Sequence, residues 1–171
     1  MKKTYALTLC AVLAALSVVL MLLGSLFEVL DLSTVILASI CVLYADTRIS
    51  QRHAWMLYGV TAILALLLLP SKAVALEYLL FGGYYPILRA RVARLGRIVS
   101  WGIKLLVFNG ALTLLILSFR TLFVSADLSY TWDLITYALG NVSLILYDYA
   151  LGRIGTLFLL RLRPRFGRKN N

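Results

Sequence analysis

Tyr58-Gly-Val-Thr-Ala-Ile-Leu-Ala-Leu-Leu-Leu-Leu69 contains no charged residue, and Ala111-Leu-Thr-Leu-Leu-Ile-Leu117 repeats the pattern farther along the chain. Neither run alternates apolar with polar residues, as a membrane β-strand of about 10 residues would. Both read as helix. Around them, 62% of the 171 residues are hydrophobic, more apolar surface than a water-soluble fold of this length can bury. In lipid that surface needs no core, and the backbone satisfies its own hydrogen bonds within helices. The expected fold class is therefore all-α: a polytopic bundle of six transmembrane helices.

A helix needs about 20 residues to cross the hydrocarbon. Cutting at charged and turn-forming residues gives segments 4–26, 29–45, 54–70, 73–89, 98–120 and 132–153, the last continuing toward Leu160. The fourth begins just after Pro70-Ser71-Lys72 and contains Gly82, Gly83 and Pro86, which predict a kink. Residues 1–160 form the six-helix domain in this reading, and 161–171 a basic cytoplasmic tail lying on anionic headgroups.

Charge placement tests the cuts independently. Lys2 and Lys3, Arg48 and Arg52, Arg89, Arg91, Arg94 and Arg97, and the run Arg161, Arg163, Arg165, Arg168 and Lys169 all fall on one side of such a bundle. The opposite loops hold only Lys72 and Arg120, with Glu28, Asp31, Asp127 and Asp133. The excess of Lys and Arg marks the cytoplasmic face, so both termini are expected inside a cell membrane. An odd number of spans would break the alternation. The start Met1-Lys2-Lys3 also fits a secretory signal, but Tyr5–Leu23 is longer than a usual signal core and reads as a first span.

The net charge of +10 would suit a nucleic-acid binder, yet the cations sit at segment ends rather than on an amphipathic face. They read as topology signals and contacts to membrane lipids, with no nucleic-acid partner. Cys10 and Cys41 lie inside apolar runs without metal-ligand spacing and read as small core residues. His53 is the only histidine; no nucleophile–base set or phosphate-binding glycine loop is present, so neither enzymatic activity, a cofactor nor a metal is expected.

Polar groups inside a membrane mark either helix packing or a site. Asp148 follows Tyr147 in the sixth segment, and Arg153, five residues on, projects from another face, leaving Arg89 and Lys104 as its nearest candidate partners. That set is either an interhelical ion pair fixing the bundle or a site for a charged solute. Toward the outer side, Glu28, Asp31, Glu77, Asn109 and Asn141 are the candidate solute-binding residues, against the plainer reading of solvated loops and packing. Along the first segment, Thr4, Thr8, Ala11 and Ala15 form a strip of small side chains that permits close helix approach. Internal packing and a partner subunit both explain such a strip.

The opening Met1-Lys-Lys-Thr-Tyr-Ala-Leu-Thr-Leu-Cys-Ala-Val-Leu-Ala-Ala15 and the layout of six basic-flanked helices resemble the substrate-binding S components of energy-coupling factor transporters. In that family an AxxxA pattern on the first helix docks onto a transmembrane coupling protein driven by cytoplasmic ATPases, and Ala11 and Ala15 match it. The resemblance implies a solute-binding membrane subunit of an importer that takes up a small-molecule solute. The chain also looks like small bacterial membrane proteins without an assigned activity that carry a similar Gly-Tyr-Tyr-Pro and Tyr-Asp pair, here residues 83–86 and 147–148. The second reading is a structural or accessory membrane protein with no transported solute.

Overall fold

The computed structural model describes residues 3–27, 30–93, 95–122 and 130–161, and the regular elements among them are all helical. They are α1 (Lys3–Leu26), α2 (Asp31–Arg48), α3 (Gln51–Leu68), α4 (Lys72–Glu77), a π-turn (Tyr78–Gly82), α5 (Tyr85–Val92), α6 (Arg97–Leu122) and α7 (Tyr130–Arg161). Glu28, Asp127, Arg94 and the tail beyond Arg161 lie outside the described residues, as do the side chains of Arg97, Arg120 and Asp133.

Local chemistry explains where the helices depart from the segments read off the sequence. The second runs on to Arg48, and Thr47 Oγ1 donates to the Leu43 carbonyl at 2.9 Å within its last turn. The third starts early because Ser50, extended at φ −179°, caps it: its side chain accepts from the Arg52 amide at 3.2 Å. That helix stops at Leu68 because Pro70 pushes the preceding residue out of helical backbone, and Leu69 is extended at ψ 133°. Among the described residues three stretches are long and apolar enough to cross a membrane: Thr4–Leu26, Ile98–Ser118 and Leu134–Leu157, with mean hydropathies of 2.7, 1.7 and 1.3. The others are shorter or more polar. At 18 residues each, α2 and α3 span about 27 Å, just under a hydrocarbon core of about 30 Å.

Packing divides into two apolar clusters. In the first, α1, α2 and α3 meet through Ala14, Val18, Met21, Val35, Ala38, Val42, Ala54, Leu57 and Ala65, among which the alanines and valines let backbones approach. In the second, Leu43 and Tyr85 pack with Phe108, Leu112, Leu144 and Leu151 of α6 and α7. α2 joins them, touching α1 and α3 on one side and the π-turn, α5 and α7 on the other. Large apolar side chains such as Leu67, Ile98, Leu106, Leu134 and Leu146 remain exposed, a surface suited to lipid. α1 turns Ala6, Cys10, Ala14, Ser17, Val18 and Met21 inward and leaves Thr4, Thr8, Ala11 and Ala15 exposed. Cys10 and Cys41 are both buried and free.

The fourth segment is where regular helix fails. The Gly83 amide bonds to the Tyr78 carbonyl at 2.8 Å, a five-residue step that widens the turn, and Tyr58 Oη of α3 donates to the Leu79 carbonyl at 2.9 Å. Pro86 sits in the first turn of α5, where its missing N–H does no harm. Gly83 is required by contact: a Cβ there would collide with the ring of Tyr58. Gly83→Ala is therefore expected to destabilise the protein by about 1–3 kcal/mol through overpacking. Gly110→Ala, at a position with open space around it, should leave stability unchanged or raise it by up to about 1 kcal/mol through helix propensity. Unfolding of the detergent-solubilised variants measures both.

Candidate functional site

Four residues at four-residue intervals, Glu77, Phe81, Tyr85 and Arg89, place the broken helix against α6 and α7. On a regular α-helix each four-residue step overshoots a full turn by about 40°, so such a stripe winds away from its neighbour. The wider π-turn removes part of that rotation within the stripe. The ring centroids of Phe81 and Phe108 are 4.9 Å apart, those of Tyr85 and Tyr147 5.2 Å apart, and Arg89 reaches Asp148.

Asp148, on α7, is the centre of a charged cluster. Its Oδ1 accepts from Arg89 Nε at 2.8 Å, Lys104 Nζ at 2.9 Å and Tyr85 Oη at 3.0 Å, and its Oδ2 accepts from Lys104 Nζ at 3.0 Å. The side chains of Lys104 and Asp148 are only 7% and 10% exposed, whereas that of Arg89 is 28% exposed, so the guanidinium forms the open edge. Lys104 also lies over the Trp101 ring, 5.2 Å from its centroid, a cation–π contact that offsets part of the loss of water. Gly152, one turn beyond Asp148, makes room for Arg89: a Cβ there would stand 2.6 Å from Nη2. Two cations share one carboxylate, so the cluster carries a net positive charge. All three residues expected to pair from the sequence are brought together here; Tyr85 is an addition to which only its four-residue offset from Arg89 pointed.

The second feature is a cavity of about 170 Å³ between α2, the broken helix, α6 and α7. Val35, Phe81, Phe108, Leu112 and Tyr147 line it, with Glu77 as the one charged group among the described residues. Glu77 Oε2 is buried without a hydrogen-bond partner, and Asp31 at the start of α2 lies within electrostatic reach. Lys72, the cation nearest Glu77 in sequence, is occupied elsewhere: its Nζ donates to the carbonyls of Leu66 at 2.8 Å and Leu69 at 3.0 Å, capping α3. Tyr147 stands between cavity and cluster, since its ring lines the first and packs on Tyr85 of the second.

Asn109 and Asn141 do not line this cavity. Each donates its Nδ2 to the other's Oδ1 at 3.1 Å, and each also donates to a carbonyl one turn back, Leu105 at 2.9 Å and Tyr137 at 2.8 Å. Thr113 and Tyr137 extend the ladder with a 2.7 Å hydroxyl contact, so α6 and α7 are zipped by two polar pairs. The spacing Asn109–Thr113 and Tyr137–Asn141, four residues on each of two apolar helices, is the sequence signal for that zipper. Among the described residues no group of three or more His, Cys, Asp or Glu side chains could hold a metal.

A separate groove of about 180 Å³ runs between α1 and α3, lined by Leu7, Cys10, Ala11, Ala14, His53 and Met56 among others. It adjoins the exposed strip, so that Ala11 belongs to both. No known protein family, curated protein or solved structure matches this chain.

Asp148→Leu leaves two buried or half-buried cations unpaired and is expected to cost about 3–5 kcal/mol. Combining it with Arg89→Leu and Lys104→Leu should recover most of that loss, because apolar side chains of similar volume replace a desolvated ion cluster at little net cost. Chemical or thermal unfolding of the two variants in one detergent provides the comparison.

Proposed function

We propose that the chain is a six-span membrane protein of the cell membrane with both termini in the cytoplasm, and that it serves as a solute-binding subunit of an importer of the energy-coupling-factor type. Two features support the topology. The turn between α2 and α3 lies between Arg48 and Arg52, and the one between α5 and α6 follows Arg89 and Arg91, so cations gather at one end of the bundle. The broken fourth segment, residues 72–92, is long enough at about 1.5 Å per residue to cross even with its π-turn.

One observation carries the functional reading: the small strip of α1 is left uncovered by the packing of the described residues. α1 meets α2 and α3 through the face of Ala6, Cys10, Ala14 and Val18, so Ala11 and Ala15 remain for another helix, beside a groove that can seat its side chains. The cavity at Glu77 then supplies the place for a solute, on the half of the bundle facing away from the cations. Membrane lipids surround the apolar exterior, and a transmembrane coupling protein with its ATPases is the partner for the strip. The second reading, a structural or accessory protein without a solute, draws on the mutual closure of Asn109 and Asn141, which leaves the cavity wall largely apolar.

A tagged pull-down from gently solubilised membranes distinguishes the two, comparing the native chain with an Ala11→Trp, Ala15→Trp double variant. Both positions are exposed, so the variant is expected to unfold at the native midpoint. A coupling protein and ATPases should copurify with the native chain and be lost from the variant. Absence of these partners from the folded native chain sinks the importer reading.

A further inference from the structure

We infer that the cavity between α2, the broken helix, α6 and α7 binds a small organic cation, an amine on a compact apolar body, with the Glu77 carboxylate as its counter-charge. The inference rests on the importer reading only for what happens to the ligand afterwards; the binding site stands on its own geometry. Among the described residues Glu77 is the only charged one in the lining, and its Oε2 is buried with no hydrogen bond to any of them. A carboxylate kept from water in apolar surroundings calls for a cation or a donor.

The nearby cations whose side chains the structure describes are committed elsewhere. Lys72 caps the carbonyls of Leu66 and Leu69, while Lys104 and Arg89 are bound to Asp148. Asp31 adds a second acidic group within electrostatic reach, which deepens the negative potential at that wall. The rest of the lining suits the body of such a ligand. Phe81, Phe108 and Tyr147 present aromatic rings, whose faces attract ammonium groups and whose bulk accepts apolar carbon. Size sets the class further: about 170 Å³ is close to the roughly 150 Å³ of a cavity known to admit benzene. One ring with a short aminoalkyl arm fills it.

The test uses the full chain in lipid nanodiscs with benzylamine as probe and benzyl alcohol as its neutral counterpart, binding being read by calorimetry. Benzylamine should bind at least tenfold more tightly than benzyl alcohol. Glu77→Gln should weaken benzylamine at least tenfold while leaving benzyl alcohol unchanged. Ser143→Leu, at an exposed position on the cavity wall, fills space without touching the carboxylate and should weaken both ligands. Absence of benzylamine binding to the folded native chain overturns the inference, and so does binding that Ser143→Leu leaves unchanged or that fails to discriminate the amine from the alcohol. Partners copurifying without amine binding would retain the importer and discard the ligand class; amine binding without partners would do the reverse.

Discussion

Asp148 is a single carboxylate that must satisfy two cations and a phenol away from water, and the second half of the bundle is arranged around that demand. Tyr85 of α5 packs among Leu144, Tyr147 and Leu151 of α7, and the bonds from Tyr85 and Arg89 to Asp148 fix how the two helices meet, with Lys104 bringing in α6. Hydrogen-bonded ion clusters of this kind contribute geometry more than net stability: desolvating the charges offsets most of their attraction, but any arrangement that leaves one of them unpaired is strongly disfavoured. The requirement therefore selects one register of three helices that apolar packing alone would leave loosely defined.

That register depends on the π-turn. With a regular helix from Lys72 to Val92, the stripe of Glu77, Phe81, Tyr85 and Arg89 would rotate progressively off the α6–α7 surface. The break costs regular hydrogen bonding, and the neighbouring helix makes this good through Tyr58, which donates to the Leu79 carbonyl and packs its ring on Gly83. One irregular turn thus serves two features. It brings Tyr85 and Arg89 to Asp148, and it sets Glu77 and Phe81 on the wall of the cavity, with Tyr147 touching both. A ligand beside Tyr147 would be one aromatic ring away from the charged cluster, which offers a physical route between the cavity and the cation-rich end of the bundle.

The first half follows a different logic. α1, α2 and α3 interlock through alanines, valines and a few larger side chains, and the small ones let the helices approach closely. In the reading proposed above, a three-helix layer carrying an uncovered strip, joined through α2 to the part that holds the cavity, would separate docking from binding. In the proposed importer, the two tasks would fall on opposite sides of one helix, α2.

The order of elements was legible in the sequence because its signals are local. Apolar runs without alternation mean helix, Pro70-Ser71-Lys72 marks a helix end, Gly82-Gly83 and Pro86 mark a break, and Arg89 and Lys104 stand as the nearest cations for Asp148. Facing was not legible. These helices are apolar on nearly every side, so the periodicity that tells inside from outside in a soluble protein is missing. Only tertiary packing decided that α1 buries Ala14 and exposes Ala15, that Asn109 and Asn141 bond to each other instead of opening to a solute, and that Glu77 Oε2 is buried without a hydrogen bond among the described residues while Lys72 turns to carbonyls. The physical reason is common to all three. A polar or small side chain in apolar surroundings takes whichever partner the neighbouring helix presents, and that choice belongs to the assembled bundle rather than to any one stretch of chain.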